Sequence, residues 1–517
     1  MATTTSGAAA PAVAEGGVER DRPAAATSAS TRNGRAVLWL PALLVLGLGF
    51  LGLDRHSVWR DEAASLVAAR RSLPDLWAML SQIETVHALY YTILHAWLQP
   101  GGGEVWARVP SVIAMAVTAG LVGVVGARLV SVRVGLVGGL LFAVNPSVSY
   151  YAQEARSTAL VAAFALLATW SLLRALDRRP RWWVAYAVVC AVLVGLNVLA
   201  VLVLAAHACT LLLRDRPRRV LPRWAVAAAP AVLLAVVLFV VVGHHPYQIS
   251  WIPTPGIGSV RDYAHLALGP NLPVAALVAG LVLVALLPTR SADDRRLRAL
   301  ALPLAVLPSA ALLVVSLVQP IFVPRYVFPS VAAVSLLAAL GAVRLGRLAA
   351  RGAGVRPDGR LPALVAAALV LVVAVGGVGT QRLDRTAGSR ADDLAGAAAA
   401  VAAEAQPGDA LLFLPSNRRL VALVYPEQFT GLRDIGLDVG SVAAGNLTGR
   451  PLPLAATLQN LATSDRVWAV GRPGLALLPT DIEARAELAV LDRDFVAVRR
   501  TGAHGVGITL YVRRAAA

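Results

Sequence analysis

Three short polar clusters interrupt a mostly apolar chain, and each holds groups suited to acid–base or phosphate chemistry. The first is Trp59-Arg60-Asp61-Glu62-Ala63, followed in the same segment by His87-Ala88-Leu89-Tyr90-Tyr91. One of two adjacent carboxylates can take a proton from a hydroxyl while its neighbour orients substrate or a metal. A wet interfacial helix would carry the same pair at little cost, because carboxylates are expensive at a membrane only when buried. His87 with Tyr90 and Tyr91 fits an aromatic belt, and equally a contact to sugar or phosphate. The second cluster, Tyr150-Tyr151-Ala152-Gln153-Glu154-Ala155-Arg156, packs two phenols, an amide, a carboxylate and a guanidinium into one short connection. An Arg156–Glu154 pair there would be structural or would build a polar site. The third is Gln319–Tyr326, in which Arg325 is the one charged residue between two apolar runs. A lone guanidinium there needs an anion, and a lipid phosphate suits its bidentate fork; snorkelling to headgroups is the simpler alternative.

The elements holding these clusters follow from composition. Of 517 residues, 57% are hydrophobic and 15% charged, with mean hydropathy +0.67, too little polar surface for a soluble chain of this length. Apolar runs of about 16–22 residues can cross a hydrocarbon core of about 30 Å as helices. The reading is a polytopic α-helical membrane protein of about 11 spans: 36–53, 106–127, 134–148, 159–176, 182–196, 198–213, 224–242, 272–287, 300–317, 327–343 and 361–378. Residues 86–98 are apolar but too short to span comfortably, which predicts an interfacial or re-entrant helix.

The net charge of +17, carried by arginine without any lysine, is spread over short clusters rather than gathered in a nucleic-acid-binding face. Arg128/Arg133, Arg178–Arg181, Arg214–Arg223, Arg290–Arg298 and Arg344–Arg360 fall on one side with the N-terminus, which the positive-inside rule makes cytoplasmic. The three polar clusters then share the opposite face, as do His244, His245, Gln248 and Trp251, a weak metal signal. Cys190 and Cys209 lie within apolar runs and match no metal or redox spacing.

The expected organisation is a disordered cytoplasmic tail at 1–35, a transmembrane domain at 36–381 with its first outer loop at 54–105, and a small extracytoplasmic α/β domain at 382–517. In that last domain strands are expected at 410–414, 466–470 and 495–499, with helices at 394–405 and 481–490. It holds no phosphate loop, metal cluster or nucleophile motif.

A base, a second acidic loop and an isolated cation on one membrane face fit group transfer from a phosphorylated lipid. The order Trp-x-Asp-Glu-Ala, His87-x-Leu-Tyr-Tyr, Arg108-Val-Pro-Ser111, Tyr-x-Gln-Glu-Ala-Arg and Pro324-Arg325-Tyr326 resembles the GT-C membrane glycosyltransferases, in their glycosyltransferase 39 and aminoarabinose-transferase-like branch, whose actinobacterial members are often labelled mannosyltransferases. The resemblance covers about residues 36–380. It implies a GT-C fold and an inverting transfer from a polyprenyl-phosphate sugar, mannose by the family label, to a hydroxyl of a glycan, lipid or protein acceptor at the extracytoplasmic face.

By that resemblance Asp61 is the catalytic base, Glu154 lies near the donor phosphate or a metal, and Arg325 binds that phosphate. Glu62, His87, Tyr90, Arg156 and Tyr326 are further substrate-binding candidates. Many relatives carry His-Pro-Pro where this chain has His87-Ala88-Leu89. A divalent metal is left open, with Asp61 and Glu154 as candidate ligands. A lipid or small-molecule transporter is the rival class, but such proteins place ionisable groups near the bilayer midplane and often repeat their halves, whereas these charges sit at helix ends.

Overall fold

A computed structural model describes residues 1–3, 24–177, 179–213, 217–243, 252–357 and 359–515. The expectations on His244, His245, Gln248, Trp251, Arg178, Arg214 and Arg216 lie outside these residues, as does most of the tail at 1–35.

The first helix, α1 (Ala24–Phe50), starts inside that tail range, and the first outer loop folds into three short helices. These are α2 (Arg60–Ala69), α3 (Leu73–Leu80) and α4 (Ala88–Leu98). With 11 residues, α4 is about 16 Å long and cannot cross a bilayer. Then come α5 (Glu104–Leu129), α6 (Val132–Val144), α7 (Pro146–Ala152), α8 (Thr158–Ala175), α9 (Arg181–Leu196) and α10 (Val201–Leu212). The set continues with α11 (Leu221–Gly243), α12 (Ile257–Leu268), α13 (Leu272–Leu286), α14 (Ala292–Val315), α15 (Ser330–Gly352) and α16 (Arg360–Leu383).

Among the described residues six of these helices are each long and apolar enough to cross a membrane. Two bent pairs, α6 with α7 and α12 with α13, pass the same criterion together, and three shorter apolar runs complete the set. These match the spans expected from the sequence, in the same order, with α12 an addition ahead of the span expected at 272–287.

Two breaks shape the site. The α6–α7 axis turns by 64° at Asn145-Pro146, where the Asn145 side chain caps the new helix by accepting from the Ser147 N–H. Proline at the first helical turn loses no bond the helix would have made, so the chain restarts in a new direction. This turn carries Tyr150–Arg156 away from the line of the span. The α12–α13 axis turns by 71° across Gly269-Pro270-Asn271, with Gly269 at φ +136°, where a side chain is strained.

Close helix packing uses small residues, as expected where lipid removes the hydrophobic drive between helices. A Cβ on Gly341 of α15 would sit 1.8 Å from the Leu281 carbonyl oxygen of α13, so only glycine fits. On the arginine-rich ends, Arg128 pairs with Asp177, and Arg344 with Asp294 at 2.7 Å.

Beyond α16 the chain forms an α/β unit. It contains α17 (Leu394–Ala402), α18 (Leu420–Val424), α19 (Leu454–Ala462) and α20 (Ile482–Asp494). Its strands are β1 (Ala410–Leu414), β2 (Arg433–Asp434), β3 (Leu437–Val439), β4 (Arg450–Pro451), β5 (Arg466–Gly471), β6 (Phe495–Ala503) and β7 (Val506–Arg513). One sheet has the order β2-β1-β5-β7-β6, parallel across β2, β1 and β5 and antiparallel from β5 through β7 to β6. Strands β3 and β4 form a separate antiparallel pair. β7 was not anticipated. Its first six residues are all buried, so it lacks the in–out alternation that marks a half-exposed strand.

This unit rests on the first outer loop. Arg70 and Arg71 of that loop donate to the carbonyls of Val424 and of Ser441 and Asn446, and the Tyr425 hydroxyl donates to Glu104 at the start of α5.

Candidate active site

The site begins where α2 starts. Trp59 is extended at φ −108° and ψ 169°, and Asp61 and Glu62 occupy the first helical turn, where the positive end of the backbone dipole favours carboxylates. Successive residues on a helix point about 100° apart, and here that angle separates two environments. Asp61 keeps about a fifth of its side chain exposed, whereas Glu62 is fully buried.

Asp61 meets Arg325. Its Oδ2 lies 3.0 Å from the Arg325 Nη2, joining the first outer loop to the turn that follows α14. The Arg325 guanidinium also lies 5.7 Å from the ring centres of both Trp59 and Tyr326, close enough for cation–π attraction. Tyr326 thus flanks the same cation. Burial opposes the charge on Arg325, but Asp61, with other nearby groups, raises its basicity above the ordinary value.

Glu62 is committed inward. Arg108 of α5 donates to both its oxygens, Nε to Oε1 at 2.9 Å and Nη2 to Oε2 at 3.0 Å, and the Ala155 N–H donates to Oε1 at 2.8 Å. Burial alone would push this carboxyl up, but Arg108's charge and hydrogen bonds outweigh it and hold Glu62 below its usual value. Arg108 also donates to the carbonyls of Leu53 and His56, at 2.9 and 3.2 Å. Glu62 therefore presents no oxygen to a substrate; it fastens α2, α5 and the second outer loop together. That corrects its expected place among the substrate contacts. Tyr90 is 3% exposed, within the apolar cluster under the loop.

Glu154 is buried too, facing Arg390 with Nη1 3.7 Å from its Oε1. Burial pushes its carboxyl up to about 7, Arg390 opposing this in part. The folded chain keeps the Glu154 proton up to about pH 7, while the unfolded chain releases it near 4.5. Between those values the folded state binds more protons, so this group makes stability fall as pH rises. Glu154→Gln cannot ionise, and the parent should lose melting temperature relative to that variant, by a few degrees, from pH 5 to pH 8. A parent–variant difference that is flat over that range would show that Glu154 titrates as an ordinary carboxylate.

A fourth carboxylate, not singled out from the sequence, joins the cluster. Glu84 sits in the left-handed region at φ +59°, uncommon for a residue with a side chain, and accepts from the Tyr91 hydroxyl at 3.0 Å. Burial raises its carboxyl. His87 Nε2 lies 3.7 Å from it, and burial together with the charge of Arg156 lowers that imidazole to about 3. His87 is therefore neutral at physiological pH and can offer a hydrogen bond but no charge. Arg156 donates to the Asp61 carbonyl at 3.1 Å and to the Ser65 hydroxyl at 3.2 Å, which pins the second outer loop under α2.

The structure thus brings Asp61, Arg325, Tyr326, Arg156, His87 and Glu154 around the start of α2, with Glu62 and Tyr90 buried beneath. As metal ligands Asp61 and Glu154 fit poorly. Asp61 is engaged by Arg325 and Glu154 faces Arg390 with a raised affinity for its own proton. Among the described residues no three His, Cys, Asp or Glu side chains gather closely enough to hold an ion.

The structure of ArnT from Cupriavidus metallidurans in the apo state matches with a TM-score of 0.56 at 16% identity, over 94% of this chain and 98% of that one. The same protein bound to undecaprenyl phosphate matches with a TM-score of 0.51 at 16% identity, over 91% and 97%. The fold is that of ArnT, the GT-C fold that the sequence resemblance implied. Within it, residues 87–244 match the family described as dolichyl-phosphate-mannose-protein mannosyltransferase. No curated protein sequence matches the chain.

Proposed function

We propose that this protein transfers a sugar, mannose in the first instance, from a polyprenyl-phosphate donor to an acceptor hydroxyl at the extracytoplasmic membrane face. The contact between Asp61 and Arg325 carries the reading, because it sets a solvent-reachable base against a cation on the same membrane face. The acceptor oxygen gives its proton to the Asp61 carboxylate and forms a bond to the anomeric carbon. The bond from that carbon to the phosphate oxygen breaks, and its electron pair leaves with the lipid phosphate. Arg325, fully charged at any physiological pH, stabilises that negative charge as it develops. Attack opposite the departing phosphate inverts the anomeric centre in one displacement. The acceptor is a glycan, lipid or protein, and the reaction uses membrane lipid chemistry with no nucleic acid.

The mannose assignment draws on the family matched by residues 87–244, and the lipid-phosphate assignment on that family and on the undecaprenyl phosphate bound by ArnT. The orientation draws on the arginine-rich loops, for which the positive-inside rule favours a cytoplasmic N-terminus and an outward C-terminal α/β unit. The deciding test supplies radiolabelled polyprenyl-phosphate mannose to membranes enriched in the protein. Label should move into an acceptor fraction. If no polyprenyl-phosphate hexose or pentose is consumed, the reading fails.

Arg325→Ala should act chiefly on donor binding. Loss of a charge-assisted contact worth about 1.5–3 kcal/mol corresponds to a KM for the donor raised about 10–100-fold. Donor titrations check this; an unchanged KM together with an unchanged kcat would return Arg325 to a headgroup-anchoring role.

A further inference from the structure

We infer that the short segment Arg390–Asp392, at the entry to the C-terminal α/β unit, is a strut that positions the two acidic outer loops for transfer, and that this is a working contribution of the unit. The inference rests on the transfer reading above. Its basis is that two residues, two positions apart, hold two different loops.

Asp392 is fully buried and takes Arg60 in a fork, with Nε to Oδ2 at 2.7 Å and Nη2 to Oδ1 at 3.2 Å, while the Arg60 backbone N–H reaches Oδ2 at 3.4 Å. Arg60 immediately precedes Asp61. A bond to both its backbone and its side chain therefore fixes where the base starts. Arg390 lies with its guanidinium carbon 3.5 Å from the Tyr150 ring centre, donates to the Tyr150 carbonyl at 2.9 Å, and faces Glu154. One segment thus sets the distance between the loop of Asp61 and the loop of Glu154.

The strut is itself held from behind. The Asp393 N–H donates to the His504 carbonyl at 2.8 Å, at the tip of the β6–β7 hairpin. Gly505 beside it has φ +73°, and a Cβ there would sit 2.2 Å from the Ala391 carbonyl oxygen. The hairpin therefore presses its backbone directly onto the segment. On the other side the Leu394 N–H donates to the Val58 carbonyl at 3.2 Å and the Ala395 N–H to the Ser57 hydroxyl at 2.9 Å, just ahead of Trp59. Docking alone does not call for these contacts, because Arg70, Arg71 and Tyr425 already anchor the unit elsewhere.

Arg390 and Asp392 are positioning residues, since neither reaches the surface where substrates bind. Their predicted signature is a loss in turnover without a loss in binding. A misplacement near 1 Å costs about 100-fold when geometry is the catalyst. Asp392→Asn keeps the side-chain volume; of the two arginines it releases, Arg60 is half exposed and Arg418, 3.6 Å from Oδ1, keeps Asp481 as a nearby opposite charge, so folding should survive. It should lower kcat about 10–100-fold, with the donor KM and melting temperature near the parent values. Asp392→Glu should recover part of the loss. Arg60→Gln removes the same fork while Arg418 stays 3.6 Å from the buried Asp392 carboxylate, so it should reproduce the loss, and the double variant should fall short of the sum of the two because both remove that fork.

Parent-level kcat in either single variant would overturn the inference, as would additive losses in the double variant or a loss that tracks a lowered melting temperature. Asp61→Asn run alongside separates the two readings. If it is inactive while Asp392→Asn is fully active, only the strut fails. If the parent consumes no polyprenyl-phosphate sugar, the transfer reading fails and the strut falls with it.

Discussion

Asp61→Asn should reduce sugar transfer by roughly 10²–10⁴-fold, the contribution of a positioned general base, while the protein still accumulates in membranes at the parent level. Both halves follow from the environment of this carboxylate. Asn keeps the size and can still accept one hydrogen bond from Arg325, whose guanidinium retains the Trp59 and Tyr326 rings as neighbours. The charge left behind is Arg325, whose side chain keeps about a fifth of its surface exposed and both rings as neighbours, so the cost to folding is small. Asn has no basic oxygen able to take the acceptor proton, and the neighbouring carboxylates cannot substitute. Glu62 is locked on Arg108, and Glu154 is buried against Arg390. The measurement is initial rate at saturating donor with protein level fixed by immunoblot. Transfer in Asp61→Asn within a few-fold of the parent would remove Asp61 from the base role.

The same cluster shows what the sequence discloses and what it withholds. The spans were legible because an uncharged run long enough to cross lipid has few alternatives, and α4 was legible as a non-spanning helix because eleven residues are too few. The need of Arg325 for an anion was legible from its isolation. Its partner was not, because Asp61 lies far away in the chain and only the fold sets them 3.0 Å apart. Asp61 and Glu62 were chemically equivalent as letters; the angle between successive helical residues made one a surface group and the other a buried anchor. Arg108 stood at the start of a span as a charge without a stated purpose, and that position was the available hint that it answers a carboxylate. Glu84 was missed because its chemistry depends on a left-handed backbone turn that points it at Tyr91. Arg390 and Asp392 were missed because the C-terminal unit read as a separate domain, and no local pattern signals a side chain reaching across a domain boundary.

That buried anchor predicts the largest change in stability. Arg108→Ala should destabilise the folded protein by about 3–5 kcal/mol, because removing one partner of a buried pair leaves the other charge uncompensated. The stranded group is Glu62, fully buried, with the Ala155 N–H as its remaining donor among the described residues. The carbonyls of Leu53 and His56 lose a donor in the same change, at the point where the first outer loop leaves α1. Glu62 could escape only by taking up a proton, which would keep the penalty while abolishing the ion pair. The double variant Arg108→Met with Glu62→Gln removes both charges and roughly keeps the volume, so it should recover most of the loss. It should not recover full transfer, because the link from α2 to the second outer loop stays weakened. Thermal unfolding in detergent tests the pair: Arg108→Ala should melt well below the parent and the double variant between them. If Arg108→Ala melts with the parent, the Glu62–Arg108 pair is not what holds the two acidic loops together. Asp61→Asn and Arg108→Ala are thus expected to divide cleanly, one losing rate without stability and the other losing the scaffold that gives the rate its geometry.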